Sequence, residues 1–180
     1  TIKQKTINGL LWSSVDNFVN QIVGFIVGII LARLLSPKEF GLIGMTTVFI
    51  AISSVLINSG FMQALIRKQD CSNKDYSTVF FFNLFVSLIS YLVLFLAAPF
   101  ISDFFDEIEL RNIIRVVSIG LIVESIAIIQ STILNKRVDF KLQAKISLIS
   151  ITISGVFGIL LAYGGFGVWS LVGQQLSKQL

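Results

Sequence analysis

Six long apolar stretches occupy most of this chain, and a run of about 20 such residues has few structural options other than crossing a bilayer as a helix. They run from Ile7 to Leu35, Leu42 to Ile66, Tyr76 to Ile101, Ile113 to Leu134, Ile146 to Tyr163, and Val168 to Leu180. The runs are continuous rather than alternating, which excludes a transmembrane β-barrel built from segments of about ten residues with a two-residue period. An all-α, polytopic membrane helical bundle is therefore expected, folded as one transmembrane lobe over residues 1–180. The sixth run has only 13 residues before the chain stops. That is about 20 Å of helix, too short to cross, so the sequence reads as a fragment of a longer membrane protein.

Composition narrows the function classes. Charged residues make up 13% of the chain and hydrophobic ones 54%, with a mean hydropathy of +0.86. A soluble enzyme carries about twice that charge. There is no histidine and a single cysteine, Cys71. The usual general base, the commonest metal ligand and any disulfide framework are thus absent, and no cofactor or metal is expected. Gly-rich phosphate loops and nucleophile elbows are missing too, and the acidic residues Asp103, Asp106, Glu107 and Glu109 read as a solvated loop.

The net charge of +4 takes its meaning from position. With a cytoplasmic N-terminus, the inner segments hold Lys3, Lys5, Arg67, Lys68, Lys74, Lys136, Arg137, Lys141 and Lys145, against Arg33, Lys38, Arg111 and Arg115 outside. Nine against four is a positive-inside bias, and basic residues beside anionic lipid account for the charge without a nucleic-acid partner.

Polar side chains within the spans are the informative residues, because hydrocarbon penalises them unless they face a partner or water. On the first span, Ser13, Asp16, Asn17, Asn20, Gln21, Gly24 and Gly28 fall within an arc of about 140° at 100° per residue. Two readings fit such a face. Polar groups and a small-xxx-small pair can hold helices together, the reading preferred for Gly24 and Gly28. Alternatively the face borders water, the reading preferred for Asp16, Asn17, Asn20 and Gln21. On the second span Gly44, Thr47, Ala51, Ser54 and Asn58 share a side. Glu124 is midway along the fourth span, where a carboxylate either pairs with a cation or takes part in ion coupling; Asp16 is a second coupling candidate. Arg111 and Arg115 are close enough to a span end to snorkel. Gln174, Gln175 and Lys178 on the sixth run are too polar for lipid and are expected to face the interior or an interface.

Three segments carry a family resemblance: KTINGLLWSSVDNFVNQ from Lys5 to Gln21, LARLLSPKEFGLIG from Leu31 to Gly44, and NSGFMQALIR from Asn58 to Arg67. They resemble the start of Wzx-type polysaccharide or O-antigen flippases, within the multidrug/oligosaccharidyl-lipid/polysaccharide exporter superfamily. The resemblance extends along essentially the whole chain. It implies the N-terminal six-helix lobe of a transporter whose second lobe is missing here. It further implies alternating-access movement of polyprenyl-diphosphate-linked oligosaccharide across the bacterial inner membrane, with membrane lipids and the polysaccharide polymerase machinery as partners. One face of the first, second and fourth spans would line the cavity. Amides suit sugar hydroxyls, which makes Asp16, Asn17, Asn20, Gln21, Asn58 and Gln174 the candidate cavity residues. A diphosphate calls for cations, and Arg33, Arg67 and Lys178 are the candidates. Related flippases have cavity arginines on their first two helices, and the first span here has none in its middle. A multidrug antiporter of the same superfamily and a membrane-embedded glycosyltransferase or polymerase are the alternatives. The amide-rich first span disfavours the former, and the lack of a long loop disfavours the latter. The 180 residues alone are expected to be inactive.

Overall fold

The computed structural model describes residues 2–57, 73–137 and 140–179, with backbone alone for 2–16, 73, 135–137 and 140–141. The described residues form seven helices, α1 (Ile2–Leu34), α2 (Pro37–Ile57), α3 (Asn73–Phe105), α4 (Ile108–Val117), α5 (Ile119–Arg137), α6 (Phe140–Tyr163) and α7 (Val168–Gln179), and no strand. Five segments of these helices are long and apolar enough to cross a membrane, α4 and α5 together counting as one. Side chains such as Phe25, Phe81, Phe85, Val55 and Leu96 are exposed along them. Exposed apolar surface on that scale belongs in lipid, so the chain is a multi-pass membrane helical bundle.

Several helices run past the apolar stretches that signal them. Asp103 is still in α3 and Glu109 is already in α4, so the acidic stretch expected as a loop contracts to a turn at Asp106 and Glu107. Backbone hydrogen bonding favours continuing the helix into the headgroup layer. The fourth span departs in another way, because it breaks at Ser118. There the Ser118 hydroxyl donates to the Ile114 carbonyl, and the Leu121 N–H closes back on the Ser118 carbonyl at 3.1 Å. A tightened turn thus separates α4 from α5.

The connections α1–α2, α3–α4 and α6–α7 lie at one end of the bundle, called here the tight-turn end. Ser36 caps α2: the Glu39 N–H donates to Ser36 Oγ at 3.4 Å, while Ser36 N–H and Oγ–H donate to Glu39 Oε2 at 2.5 and 2.9 Å. With Pro37 at the first helical position, the segment SPKE is a capping box. Lys38 extends from the same turn to Glu107 at 2.9 Å, tying α2 to the α3–α4 turn. Gly167, at φ +56°, lies so close to Glu39 Oε1 that a Cβ there would overlap it. The motif that carries the family resemblance therefore pins three connections at one end.

Between the ends, α6 packs against α1 on one side and α7 on the other, α3 packs against α4 and α5, and α2 and α7 join the two groups. The largest core cluster gathers Leu42, Ile50 and Ile57 with Leu94, Ala98, Leu110, Ile113, Ile114, Val117, Leu121 and Val172, so the short α4 is its centre. A second cluster joins Val27 and Leu31 of α1, and Leu35 just after it, to Ala162 and Leu171. Close approach of α1 and α6 depends on Gly155, where a Cβ would come within 2.7 Å of Val27 Cγ2. The small pair singled out in the sequence contributes less: Gly24 meets Ile151 at ordinary distance, and Gly28 has nothing within 4 Å of a Cβ.

Removing the cap with Glu39→Ala is expected to lower stability by about 1 kcal/mol. Gly167→Ala should cost about 1–2 kcal/mol, from the left-handed backbone and from pushing the carboxylate off Ser36. Because both changes disrupt one contact, thermal unfolding of the detergent-solubilised double variant should show less than the summed loss; strict additivity would separate Gly167 from the cap.

Candidate functional site

A cleft of about 450 Å³ opens between α5, α6 and the end of α7. Its wall on α5 is Ala127, Gln130, Ser131 and Leu134; on α6 it is Gln143, Ile146, Ser147 and Ser150; α7 adds Lys178 and Gln179. Helical geometry explains the α6 wall, since Gln143, Ser147 and Ser150 recur at spacings of four and three and so share a side. The α5 wall continues along one stripe towards the tight-turn end, through Glu124 to Gly120, where the Gln179 side-chain oxygen occupies the place a Cβ would take.

The depth of these groups follows from counting along helices that start or end at the tight turns. Lys178 is ten residues into α7, about 15 Å from that end, or half of a 30 Å hydrocarbon layer. Asn20 is fourteen residues before the end of α1, about 21 Å. Lys178 and Asn20 thus lie well inside the bundle, and the cleft runs from there towards the opposite end, where Gln130 and Gln143 are about 30 Å from the tight turns.

Two hydrogen bonds fasten the cleft to neighbouring helices. Asn20 Nδ2 donates to Ser147 Oγ at 2.8 Å, which joins the polar face of α1 to the α6 wall. Ser54 Oγ donates to Glu124 Oε2 at 3.1 Å, which joins α2 to the α5 stripe. Most other hydroxyls are satisfied on their own helix, as with Thr46 to the Leu42 carbonyl and Thr132 to the Ile128 carbonyl. Asn20 instead reaches across to another helix.

The residues singled out in the sequence are distributed unevenly around this cleft. Asn20 is beside it, bonded to its wall, while Asn17 and Gln21 are exposed on the same turn of α1. Lys178 lines it. Gln174, one turn earlier on α7, packs its Cβ and Cγ against Gly158 instead. Arg33 is exposed in the last turn of α1 at the tight-turn end, about 20 Å along that helix from Asn20. The side chain of Asp16, and Asn58, Arg67 and Cys71 altogether, lie outside the described residues. Unforeseen contributors are Gln130, Gln143, Ser147, Ser150 and Gln179. The stripe on α6 had a sequence signal in its four-and-three spacing. Among the described residues no group of histidine, cysteine and carboxylate side chains could hold a metal.

Comparison with known proteins fits this architecture. The model of a family described as polysaccharide biosynthesis protein matches residues 30–180. The succinoglycan biosynthesis transport protein ExoT of Rhizobium meliloti is 29% identical over 97% of this chain and 35% of its own length. The lipopolysaccharide biosynthesis protein WzxC of Escherichia coli is 24% identical over 68% of this chain and 25% of its own. The teichuronic acid biosynthesis protein TuaB of Bacillus subtilis is 26% identical over 89% and 33%. The chain therefore spans about a third or less of the length of these curated relatives, and no solved structure matches it. With a family match over 151 of its 180 residues and the motif at Leu31 to Gly44 built into its tight turns, the chain belongs to the polysaccharide biosynthesis protein family of Wzx-type exporters.

Proposed function

We propose that this chain forms the N-terminal lobe of a transporter that flips polyprenyl-diphosphate-linked oligosaccharide across the bacterial inner membrane by alternating access. The observation that carries the reading is the cleft itself: a lysine at half-depth, flanked by the amides of Gln130, Gln143 and Gln179 and the hydroxyls of Ser131, Ser147 and Ser150. Amides and hydroxyls both donate and accept, as sugar hydroxyls do, and an ammonium in a low-dielectric surround favours phosphate. No carboxylate is part of the described lining, which favours an anionic cargo over the cationic drugs of a multidrug antiporter.

In this scheme the oligosaccharide head group occupies the cleft while its lipid tail stays in the bilayer. The lobe rocks against a partner lobe around the mid-depth site. The protein supplies binding and access and makes or breaks no covalent bond. The N-terminus is cytoplasmic and the tight-turn end external, as the distribution of lysine and arginine favours. Glu124, hydrogen-bonded to Ser54 two turns from Ser131, is the group we assign to ion coupling, because it links α2 to the cleft-lining helix. Asp16 is the second group for that role, on the α1 helix that reaches the cleft through Asn20.

Lys178→Ala should reduce surface polysaccharide at least tenfold in cells that depend on this protein, at unchanged membrane abundance, and Lys178→Arg should retain most export. Export at the wild-type level in Lys178→Ala would remove the lysine from the path. Glu124→Gln should slow transport in proteoliposomes while leaving glycolipid binding intact; equal rates with and without the carboxylate would exclude Glu124 from coupling.

A further inference from the structure

A second polar feature lies outside the cleft, where α4 packs along α3. Arg111 and Arg115 are one turn apart on a flank of α4, Arg111 exposed and Arg115 half-buried. The Arg115 guanidinium carbon is 4.2 Å from the centre of the Phe95 ring, and Tyr91 extends the aromatic surface, its ring 5.9 Å from that of Phe95. Stacking engages only the face of the guanidinium. Its five N–H donors lie around the edge; Nε is buried without a hydrogen-bond partner, so the donors that can meet an outside acceptor are the four on the two Nη groups. Among the described residues, no carboxylate forms an ion pair with either arginine; at this end Glu107 pairs with Lys38 instead. Glu109 leaves α4 on another side, about 200° round from Arg111.

A permanent charge with unanswered donors is costly near hydrocarbon unless an acceptor reaches it. Arg115 is seven residues into α4, about 10 Å from its start, a depth from which a long side chain reaches the headgroup layer. The acceptors available there are phosphate oxygens. A planar guanidinium held against an aromatic ring is oriented for two parallel hydrogen bonds to such a group, and Arg111 adds a second charge about 6 Å nearer the surface. A zwitterionic headgroup would bring its own cation against Arg111. We propose that Arg115, stacked on Phe95 and assisted by Arg111, holds the phosphate of an anionic phospholipid in the leaflet at the tight-turn end. This site depends on the membrane bundle alone and is separate from the transport reading of the cleft.

Native mass spectrometry of the full-length protein in detergent tests it, with phosphatidylglycerol and phosphatidylcholine added in parallel. Wild-type protein should retain phosphatidylglycerol preferentially, and Arg115→Gln should reduce that retention about tenfold. Arg115→Lys should fall between, since it keeps the charge and loses the planar fork. Arg111→Gln is exposed and leaves packing untouched, so its expected loss of a few-fold guards against a folding artefact in Arg115→Gln. Wild-type retention in both Gln variants would overturn the site. So would an Arg115-dependent preference for a short-chain polyprenyl diphosphate over phosphatidylglycerol, which would assign the arginine to the cargo.

Discussion

Within hydrocarbon, each polar group has to find its partner inside the protein or border water, and that constraint sorts the side chains of this bundle. Serines and threonines close on their own backbone, as Thr46, Ser53 and Thr132 do with the carbonyls four residues earlier. They sit in apolar surroundings at little cost and say little about function. Longer polar groups reach further. Asn20 crosses to Ser147, Glu124 receives Ser54, and Gln130, Gln143, Gln179 and Lys178 line a cleft. The hydroxyl pair Ser87 and Ser125, at 3.0 Å between α3 and α5, shows that even short groups bridge helices where two meet face to face.

The bundle is fastened unequally. At the tight-turn end the capping box, the Lys38–Glu107 pair and the Glu39–Gly167 contact join α2 to two neighbouring connections. The cleft begins near mid-depth at Gln179 and extends towards the end where α5 passes to α6. In the proposed transport scheme, a bundle with one end pinned and a polar cleft on the other side of its core would rock as one body. The core around α4 contributes to that rigidity, since Leu110, Ile113 and Ile114 are fully buried among four other helices.

The helices were legible in the sequence because a crossing segment has a length set by the bilayer, and apolar runs of that length have no other use. The break at Ser118 was not legible, since a lone serine in an apolar run is equally at home inside a helix. Asn20 stood out because an amide at mid-span is expensive. Gln143, Ser147 and Ser150 were hidden by their apolar neighbours, though their spacing places them on one side of α6. Lys178 was recognisable as too polar for lipid, but its place in the cleft depends on the Gly164–Gly167 turn, which folds α7 back along α6. Arg33 suits an anion by chemistry and lies in the last turn of α1, where its place at the end of the first apolar run already put it.

A hydrophilic path requires the cleft to be a water-filled space that reaches into the membrane as far as Ser150, and thiol accessibility measures that directly. In protein with Cys71 replaced by serine, single cysteines at Ser150 and Gln130 line the cleft, while Ile149 and Ile153 are exposed on the outer surface of α6. In intact membranes, a water-soluble maleimide should label the Ser150 and Gln130 positions readily and the Ile149 and Ile153 positions hardly at all. Equal protection of all four would mean that lipid or protein fills the cleft, and the polar side chains would then be helix contacts rather than a path for a hydrophilic cargo.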